Sequence, residues 1–222
     1  MVYRIIALLI GYCCGLFQTG FIYGRLHDFD LREHGSGNSG MTNAMRTLGM
    51  KAGVTVLLGD LLKAVAAVLV VRFGLGGAMA NAGGVQVDIK LLELYACLGV
   101  ILGHDFPFYL RFKGGKGMAA SAGYLISSVF CVLVPELILF LVIVIATKYI
   151  SLGSIITSAV FPLLCFAQWR MGFLRVSDGA IVEFVIVAIV VAAINVFQHR
   201  ANISRLLAGQ ENRFSVGKKD KV

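Results

Sequence analysis

Residues 184–197 read FVIVAIVVAAINVF, a stretch without a charged side chain and with one polar side chain, Asn195. With its flanks it forms an apolar run over 180–198. Such a run is typical of a helix that crosses a lipid bilayer, because the polar groups of a helical backbone satisfy one another. A strand of a membrane barrel would instead alternate apolar and polar residues. The stretch therefore predicts an all-α membrane protein.

The composition of the whole chain supports this prediction. Hydrophobic residues make up 58% of the 222 residues, mean hydropathy is +0.84, and charged residues make up 14%. Ordinary soluble domains carry about 25% charged residues. A soluble protein of this size could not bury so much apolar surface in one core, so we expect several spans.

Taking roughly 17–25 apolar residues per span, we predict a single membrane domain over 1–222 with about seven transmembrane helices. They lie at about 3–23, 52–72, 90–108, 117–133, 136–148, 152–168 and 180–198. The fourth and fifth are short, and we expect Pro135 to separate them. If that pair is re-entrant, the count falls to five. The first run lacks an A-x-A cleavage site, and we interpret it as a retained helix.

Basic residues are distributed unequally over the two sides that seven spans define. Five fall on the side of Met1, namely Arg4, Arg72, Lys90, Arg170 and Arg175. Fourteen fall on the other side, namely Arg25, Arg32, Arg46, Lys51, Arg111, Lys113, Lys116, Lys148, Arg200, Arg205, Arg213, Lys218, Lys219 and Lys221. The positive-inside rule places this richer side in the cytoplasm, with the N-terminus outside and the C-terminus cytoplasmic. The net charge of +8 then reflects topology and attraction to anionic membrane lipids, and nucleic-acid binding is not needed to explain it.

Three polar stretches, at 32–46, 103–121 and 199–212, all fall on the predicted cytoplasmic side. The first polar loop contains Gly35, which with two further glycines allows close approach of the backbone to a ligand, and Arg46, whose guanidinium suits a phosphate. Its other candidate binding residues are Ser36, Gly37, Asn38, Gly40, Thr42 and Asn43. The alternative is a plain solvated turn, since these are common turn residues.

The second polar loop combines His104 with a Gly114-Gly115-Lys116-Gly117 turn that opens a helix. Backbone amides at a helix N-terminus and a lysine make a good phosphate site. The GxxxxGK[ST] spacing of ATP-binding loops is absent. The alternative is a flexible positive-inside loop.

The third polar loop places His199, Asn202 and Arg205 three residues apart, so on a helix they share one face that could turn towards the other loops. The alternative is an ordinary helix end with a solvated basic side. Glu211 follows and is a candidate for holding the loop in place.

Weaker candidates lie near or within the spans. Asp60 and Lys63 predict either an ion pair or a ligand site, since charges within spans are costly. Ser151 and Ser154 open a helix, where hydroxyl groups either bind an anion or serve as a cap. No metal site is expected, because the five cysteines lie in apolar runs without a ligand spacing, at Cys13, Cys14, Cys97, Cys131 and Cys165.

Taken together, the three loops resemble a known family. The sequences Ser36–Arg46, Gly103–Ala119 and His199–Glu211 are similar, in this order, to SGNxGxTNxxR, GHxFPxxxxFKGGKGxA and HxxNIxRLxxGxE of the bacterial acyl-phosphate:glycerol-3-phosphate acyltransferases, the PlsY type. Ser39 stands where the family commonly has proline, and Ala120-Ser121 where it often has threonine. The resemblance implies an enzyme of the bacterial inner membrane that acylates glycerol 3-phosphate from an acyl phosphate, releases phosphate and needs no cofactor.

Under this resemblance, we expect Lys116 and the loop amides to bind one phosphate, and Arg46 and Ser36 to contact the second phosphate or the reacting carbonyl. His199 and Asn202 would orient glycerol 3-phosphate. Two routes remain open. In the first, the substrate hydroxyl attacks directly, deprotonated by His199 or by a substrate phosphate. In the second, Ser36 is acylated first, which needs a nearby base such as His34 or His199. We prefer direct attack and expect a monomer.

Two other classes of function compete with an enzyme. Glycine-rich loops and charges within the membrane also suit a permease for phosphate esters, although its site would lie near the midplane. A scaffold protein would leave the three polar loops without a role.

Overall fold

The structure, a computed structural model, describes residues 1–81 and 88–214. All regular elements within these ranges are helical. A π-helical segment, Val70–Leu75, joins α4 to α5. The α-helices are α1 Val2–Gly15, α2 Thr19–Arg25, α3 Met41–Leu48, α4 Met50–Leu69, α5 Gly76–Asn81, α6 Ile89–Asp105, α7 Met118–Ser127, α8 Phe130–Thr147, α9 Ile150–Arg170, α10 Ile181–Gln198 and α11 Arg200–Leu207.

Six helical segments are long and apolar enough to cross a membrane, and α7 is a shorter apolar helix of 10 residues. The six are Val2–Arg25, Met50–Ala78, Ile89–Leu110, Phe130–Thr147, Ile150–Arg170 and Ile181–Gln198. The predicted all-α membrane architecture with about seven helices is confirmed. The predicted single domain over 1–222 stays a prediction, and Lys218, Lys219 and Lys221 lie outside the described residues.

The expectation that Pro135 separates the fourth and fifth spans is wrong. Pro135 lies inside α8, and the chain leaves the helical path at Ser128 and Val129 instead. A proline removes one backbone donor, and membrane helices tolerate this loss where neighbouring groups compensate. Because α8 has 18 residues, only one of the two spans predicted to be short is short.

The two ends of the helical bundle can be told apart by contacts between helix termini. At the far end, Arg4 near the start of α1 forms an ion pair with Glu183 near the start of α10, with 2.5 Å between Nε and Oε1. At the site end, Ser151 at the start of α9 donates a hydrogen bond to Glu211 beyond α11, at 3.0 Å. Residues 1–4 and Glu211 therefore lie at opposite ends, as an odd number of crossings requires.

Both α7 and α8 run between these ends. The ammonium group of Lys90, at the start of α6, donates to the Ser128 carbonyl at 2.7 Å, which places the end of α7 at the far end. The Phe214 amide donates to the Lys148 carbonyl at 2.7 Å, which places the end of α8 at the site end. The five-span alternative does not fit this arrangement.

Glycines set the contact between α1 and α6. A Cβ atom on Gly11 or Gly15 of α1 would overlap a backbone carbonyl oxygen of α6, and a Cβ atom on Gly99 or Gly103 would overlap one of α1. Each helix thus carries glycines four residues apart, the G-x-x-x-G spacing that lets membrane helices approach closely. Since α6 ends at Asp105, this contact fixes the position from which the second polar loop departs.

We predict that Gly99→Ala destabilises the bundle by about 1–3 kcal/mol, because the new methyl group meets rigid backbone and forces α1 and α6 apart. The matched control is Gly74→Ala, where a Cβ would meet nothing within 4 Å. Thermal unfolding in detergent should show a lower Tm for the first variant alone. Equal Tm values would contradict the close contact.

Candidate functional site

The second polar loop folds back onto the end of α6. The Gly114 amide donates to the Asp105 carbonyl at 3.1 Å, and the Gly115 amide donates to the His104 carbonyl at 3.0 Å. A Cβ atom on Gly114 would overlap the His104 carbonyl oxygen, and one on Gly115 would overlap the His104 imidazole. Only glycine permits this approach, which satisfies carbonyls that the end of α6 leaves free.

This arrangement corrects one expectation about phosphate binding. The amides of Gly114 and Gly115 are used within the protein, so they are not available to hold a phosphate. The free donors lie further along, at the first amides of α7, whose N-cap Gly117 has a φ of +71°. Lys116 stands beside this helix N-terminus.

His104 supports the loop and is not placed to contact a ligand, contrary to the prediction. Its side chain is 5% exposed, and its Nδ1 lies 2.7 Å from the Lys63 ammonium. Lys63 also lies 2.9 Å from the Asp60 carboxylate and donates to the Phe17 carbonyl at 2.8 Å. Of the two alternatives for Asp60 and Lys63, the structure contains the ion pair. The group is buried beneath the second polar loop and braces it.

The second and third polar loops meet in a chain of hydrogen bonds. Lys116 Nζ donates to Asn202 Oδ1 at 2.6 Å, and Asn202 Nδ2 donates to Glu211 Oε1 at 2.9 Å. Arg205 Nε reaches Glu211 Oε2 at 2.8 Å, and Ser151 donates to Oε1 at 3.0 Å. We call these five residues the Lys116–Glu211 cluster. Through these contacts Glu211 connects the third loop to the start of α9.

The surroundings of this cluster change the pKa values of its groups. Burial, and next the positive charge of Arg205, lower the Lys116 pKa to about 8. Burial opposes ionisation of Glu211, but hydrogen bonds from Asn202, Arg205 and Ser151 outweigh it and lower the pKa of its carboxyl group. The cluster therefore carries two cations, Lys116 and Arg205, against one carboxylate at neutral pH, and its excess positive charge favours an anionic ligand.

His199 precedes α11 and is buried beside α10. Burial lowers its pKa to about 4, so the imidazole is neutral at pH 7. Its Nδ1 lies 2.8 Å from the Asn195 carbonyl oxygen. A carbonyl only accepts hydrogen bonds, so Nδ1 carries the proton and Nε2 keeps a free lone pair. The free Nε2 lone pair can accept a hydrogen bond or a proton, while the lowered pKa makes this imidazole a weaker base than an exposed histidine.

Asn43 organises the first polar loop. The prediction that it binds substrate is not supported, because its side chain is used within the protein. Its amide nitrogen donates to the carbonyls of Leu31, His34 and Asn38 at 2.9–3.0 Å, and its oxygen accepts from the Ser36 amide at 2.8 Å. Because this side chain is buried and fully used, it holds the loop. Asn38 is likewise used, since its side chain accepts from the Gly40 amide at the start of α3.

Other residues of the first polar loop remain accessible. Ser36 and Arg46 are exposed, and Gly35 and Gly37 adopt positive φ. Thr42 is half-buried near the start of α3. Over the described residues, no hydrogen bond joins this loop to the Lys116–Glu211 cluster. One link to the second loop runs through Phe21 of α2, which lies under Arg32 and packs against Tyr109.

Sequence reasoning missed the support of α7 by its neighbours. Asn195 Nδ2 donates to Ser121 Oγ at 3.1 Å and so ties α10 to the first turns of α7. Asn195 was visible as the one polar residue in an apolar run. Ser154 is buried within α9. Neither Ser151 nor Ser154 caps this helix, whose N-cap residue is Tyr149 and has no side-chain cap hydrogen bond. The described residues contain no group of three or more acidic, histidine or cysteine side chains that could hold a metal ion.

Comparisons with known proteins agree with the sequence resemblance. A family model described as glycerol-3-phosphate acyltransferase matches residues 5–209. The glycerol-3-phosphate acyltransferase of Geobacter sulfurreducens is 38% identical over 96% of this chain and 99% of its own length. The one of Thermoanaerobacter sp. strain X514 is 33% identical over 99% of both chains.

Solved structures lead to the same family. The chain superimposes with a TM-score of 0.76 on PlsY, an integral membrane glycerol 3-phosphate acyltransferase, in its glycerol 3-phosphate form, with 30% identity over 96% of both chains. The lysophosphatidic acid form of that protein gives 0.74. With a family match over most of its length and relatives above 30% identity, this chain belongs to the glycerol-3-phosphate acyltransferase family.

Proposed function

We propose that this enzyme transfers a fatty acyl group from an acyl phosphate to glycerol 3-phosphate and releases 1-acyl-glycerol 3-phosphate and inorganic phosphate. The observation that carries the proposal is the Lys116–Asn202 contact, which brings two cations, free helix amides and a neutral histidine to one end of the bundle. Glycerol 3-phosphate and lysophosphatidic acid, to which the solved relatives' forms are assigned, are a substrate and product of this reaction.

The Lys116–Glu211 cluster is the proposed site for the phosphate of glycerol 3-phosphate. Lys116 and Arg205 supply positive charge, and the first amides of α7 add donors at the positive end of the helix dipole. A phosphate displaces the Lys116–Asn202 hydrogen bond or shares the lysine with it. Asn202, still fixed by Glu211, then orients the glycerol hydroxyl groups.

His199 is the proposed general base. The hydroxyl oxygen of glycerol 3-phosphate attacks the carbonyl carbon of the acyl phosphate while its proton passes to His199 Nε2. The new C–O bond forms as the bond from carbonyl carbon to phosphate oxygen breaks, and the departing phosphate takes the electron pair. The mixed anhydride is already activated, so the protein mainly positions the reactants and stabilises charge.

The first polar loop is the proposed site for the acyl phosphate headgroup. Arg46 offers an exposed guanidinium, and Gly40 opens α3, whose first amides are free to donate. Gly37 and Ser36 border this region. The acyl chain of the acyl phosphate would then lie among the apolar helices, as a fatty chain in the membrane does.

The site end is proposed to face the cytoplasm of a bacterial cell, with the chain in the inner membrane. The excess of basic residues at this end supports the orientation. We propose that the enzyme needs no cofactor or metal, because the acyl phosphate supplies the activated carbonyl. We also propose that it acts as a monomer.

The acyl donor and the enzyme class are tested together in detergent micelles. With palmitoyl phosphate and glycerol 3-phosphate, purified protein should form 1-palmitoyl-glycerol 3-phosphate and phosphate in equal amounts, whereas palmitoyl-CoA should not support turnover. A permease would need two compartments and would give no product in micelles. Turnover with palmitoyl-CoA alone would contradict the proposed donor.

We predict a characteristic pH dependence from Lys116. Since the free enzyme loses the Lys116 charge above pH about 8, kcat/KM for glycerol 3-phosphate should fall as pH rises through that value. In Lys116→Arg the guanidinium stays charged beyond pH 12, so the fall should move to higher pH even if the maximum is lower. An identical decline in both proteins would show that another group controls it.

The structure favours direct attack over an acyl-Ser36 intermediate. Ser36 is exposed, His34 Nδ1 contacts the Asp30 carbonyl at 3.1 Å, and His199 is buried beside Asn195. Among the described residues, the Ser36 hydroxyl has no hydrogen bond to a base that could activate it.

We predict that labelled phosphate does not exchange into palmitoyl phosphate when glycerol 3-phosphate is absent, because no acyl-enzyme forms. Ser36→Ala should lose activity partly, and the residual rate should still depend on His199. The exchange is measured by following isotope in recovered palmitoyl phosphate. Rapid exchange in the unmodified enzyme, abolished in Ser36→Ala, would establish the covalent route instead.

A further inference from the structure

A second group of charges lies at the far end of the bundle, away from the Lys116–Glu211 cluster. Glu93, one turn into α6, is completely buried and lies 2.5 Å from Arg72 Nε and 3.0 Å from Lys90 Nζ. The Ser128 hydroxyl also donates to its carboxylate. We call Arg72, Lys90, Glu93 and Ser128 the far-end cluster. The proposed reaction uses none of them.

Both cations of this cluster also hold the end of α7. Arg72 Nη2 donates to the Ser127 carbonyl at 2.6 Å, and Lys90 Nζ donates to the Ser128 carbonyl at 2.7 Å. The last carbonyls of a helix have no partner within the helix, and positive charge there is favourable to the helix dipole. Glu93 keeps the two cations at their positions. The cluster is thus a C-terminal cap made by α6 and the π-helical segment.

α7 connects this cap to the Lys116–Glu211 cluster. Its 10 residues make a rod of about 15 Å, whose first residue follows Lys116 and Gly117. A Cβ on Gly117 would meet Ile101, within α6, and the side chain of Asn195, so the helix begins below the site end. Along its side, Gly123 contacts the Leu61 carbonyl of α4 so closely that a Cβ there would overlap it.

We propose that the far-end cluster is a positioning device for the reaction, which fixes α7 along its axis so that Lys116 meets Asn202. An axial shift of about 1 Å in α7 moves the lysine and the first helix amides by the same amount, and displacements of that size can cost about a hundredfold in rate. The proposal rests on the proposed role of Lys116 as a phosphate ligand.

The main test compares two charge pairs at the same end of the bundle. Arg72→Gln removes one cation from the cap, while Glu93 keeps Lys90 and Ser128 as partners. The matched control is Arg4→Gln, which breaks the partly buried Arg4–Glu183 pair between α1 and α10 and involves no residue of α7. Arg72→Lys restores a cation and should rescue part of the effect.

Two readouts separate positioning from general stability. Hydrogen exchange by mass spectrometry over residues 113–127 should show faster exchange in Arg72→Gln and not in Arg4→Gln. At a temperature where both variants are fully folded, kcat/KM for glycerol 3-phosphate should fall at least about tenfold in Arg72→Gln only. We expect the change mainly in KM, because the phosphate ligand is displaced. If Arg72→Gln does not fold, Lys90→Gln replaces it.

Unchanged exchange over 113–127, or unchanged kcat/KM per folded enzyme in Arg72→Gln, would overturn the proposal. Equal losses in Arg72→Gln and Arg4→Gln would also overturn it, since general destabilisation would then explain both. Lys116→Ala distinguishes this failure from that of the proposed function. If Lys116→Ala is inactive while Arg72→Gln is unaffected, only the positioning inference fails, whereas a fully active Lys116→Ala removes the proposed phosphate ligand itself.

Discussion

Helix ends inside a bilayer must have their free carbonyls satisfied by the protein, because the lipid offers no donors. In this fold the second polar loop supplies those donors, and this requirement determines its conformation. At the end of α6, the amides of Gly114 and Gly115 and the side chain of Gln18 donate to the carbonyls of residues 103–105. This capping draws the loop into the bundle, so α7 starts below the site end and can be short.

The same capping determines which amide groups and side chains remain free to contact a ligand. Two glycine amides that look like phosphate donors in the sequence are used inside the protein, and the His104 imidazole is packed against them. The groups that remain for chemistry at this point of the site end are Lys116 and the open start of α7. Lys116 is therefore drawn part of the way out of water, which is why its pKa falls to about 8. A partly desolvated ammonium interacts more strongly with a phosphate than one in bulk solvent does.

Much of this fold could be predicted from the sequence, since long apolar runs leave few alternatives for a backbone in lipid. Counting spans placed the second and third polar loops at the same end of the bundle, and in the structure Lys116 does contact Asn202. The roles of His104 and Asn43 could not be predicted, because a polar side chain in a loop serves equally well as a ligand or as a support. Which of the two it does depends on contacts between residues distant in sequence, such as His104 with Lys63. The prediction that Pro135 ends a helix failed for a related reason. The local preference of a proline did not decide the structure here, because helical residues flank Pro135 on both sides in α8.

The polar groups of this protein thus divide by depth. Asp60, Lys63 and His104 form a buried set whose members satisfy one another, and such a set contributes rigidity because each charge is costly without its partners. The Lys116–Glu211 cluster lies nearer the site end and carries one more cation than carboxylate. Its net positive charge favours the binding of an anion. A site of this kind gains most from rigid support, because a cation that is free to move would shift towards Glu211 and be neutralised by it. Lys63 contacts His104, against which Gly115 packs, and so supports the loop that carries Lys116, the proposed phosphate ligand.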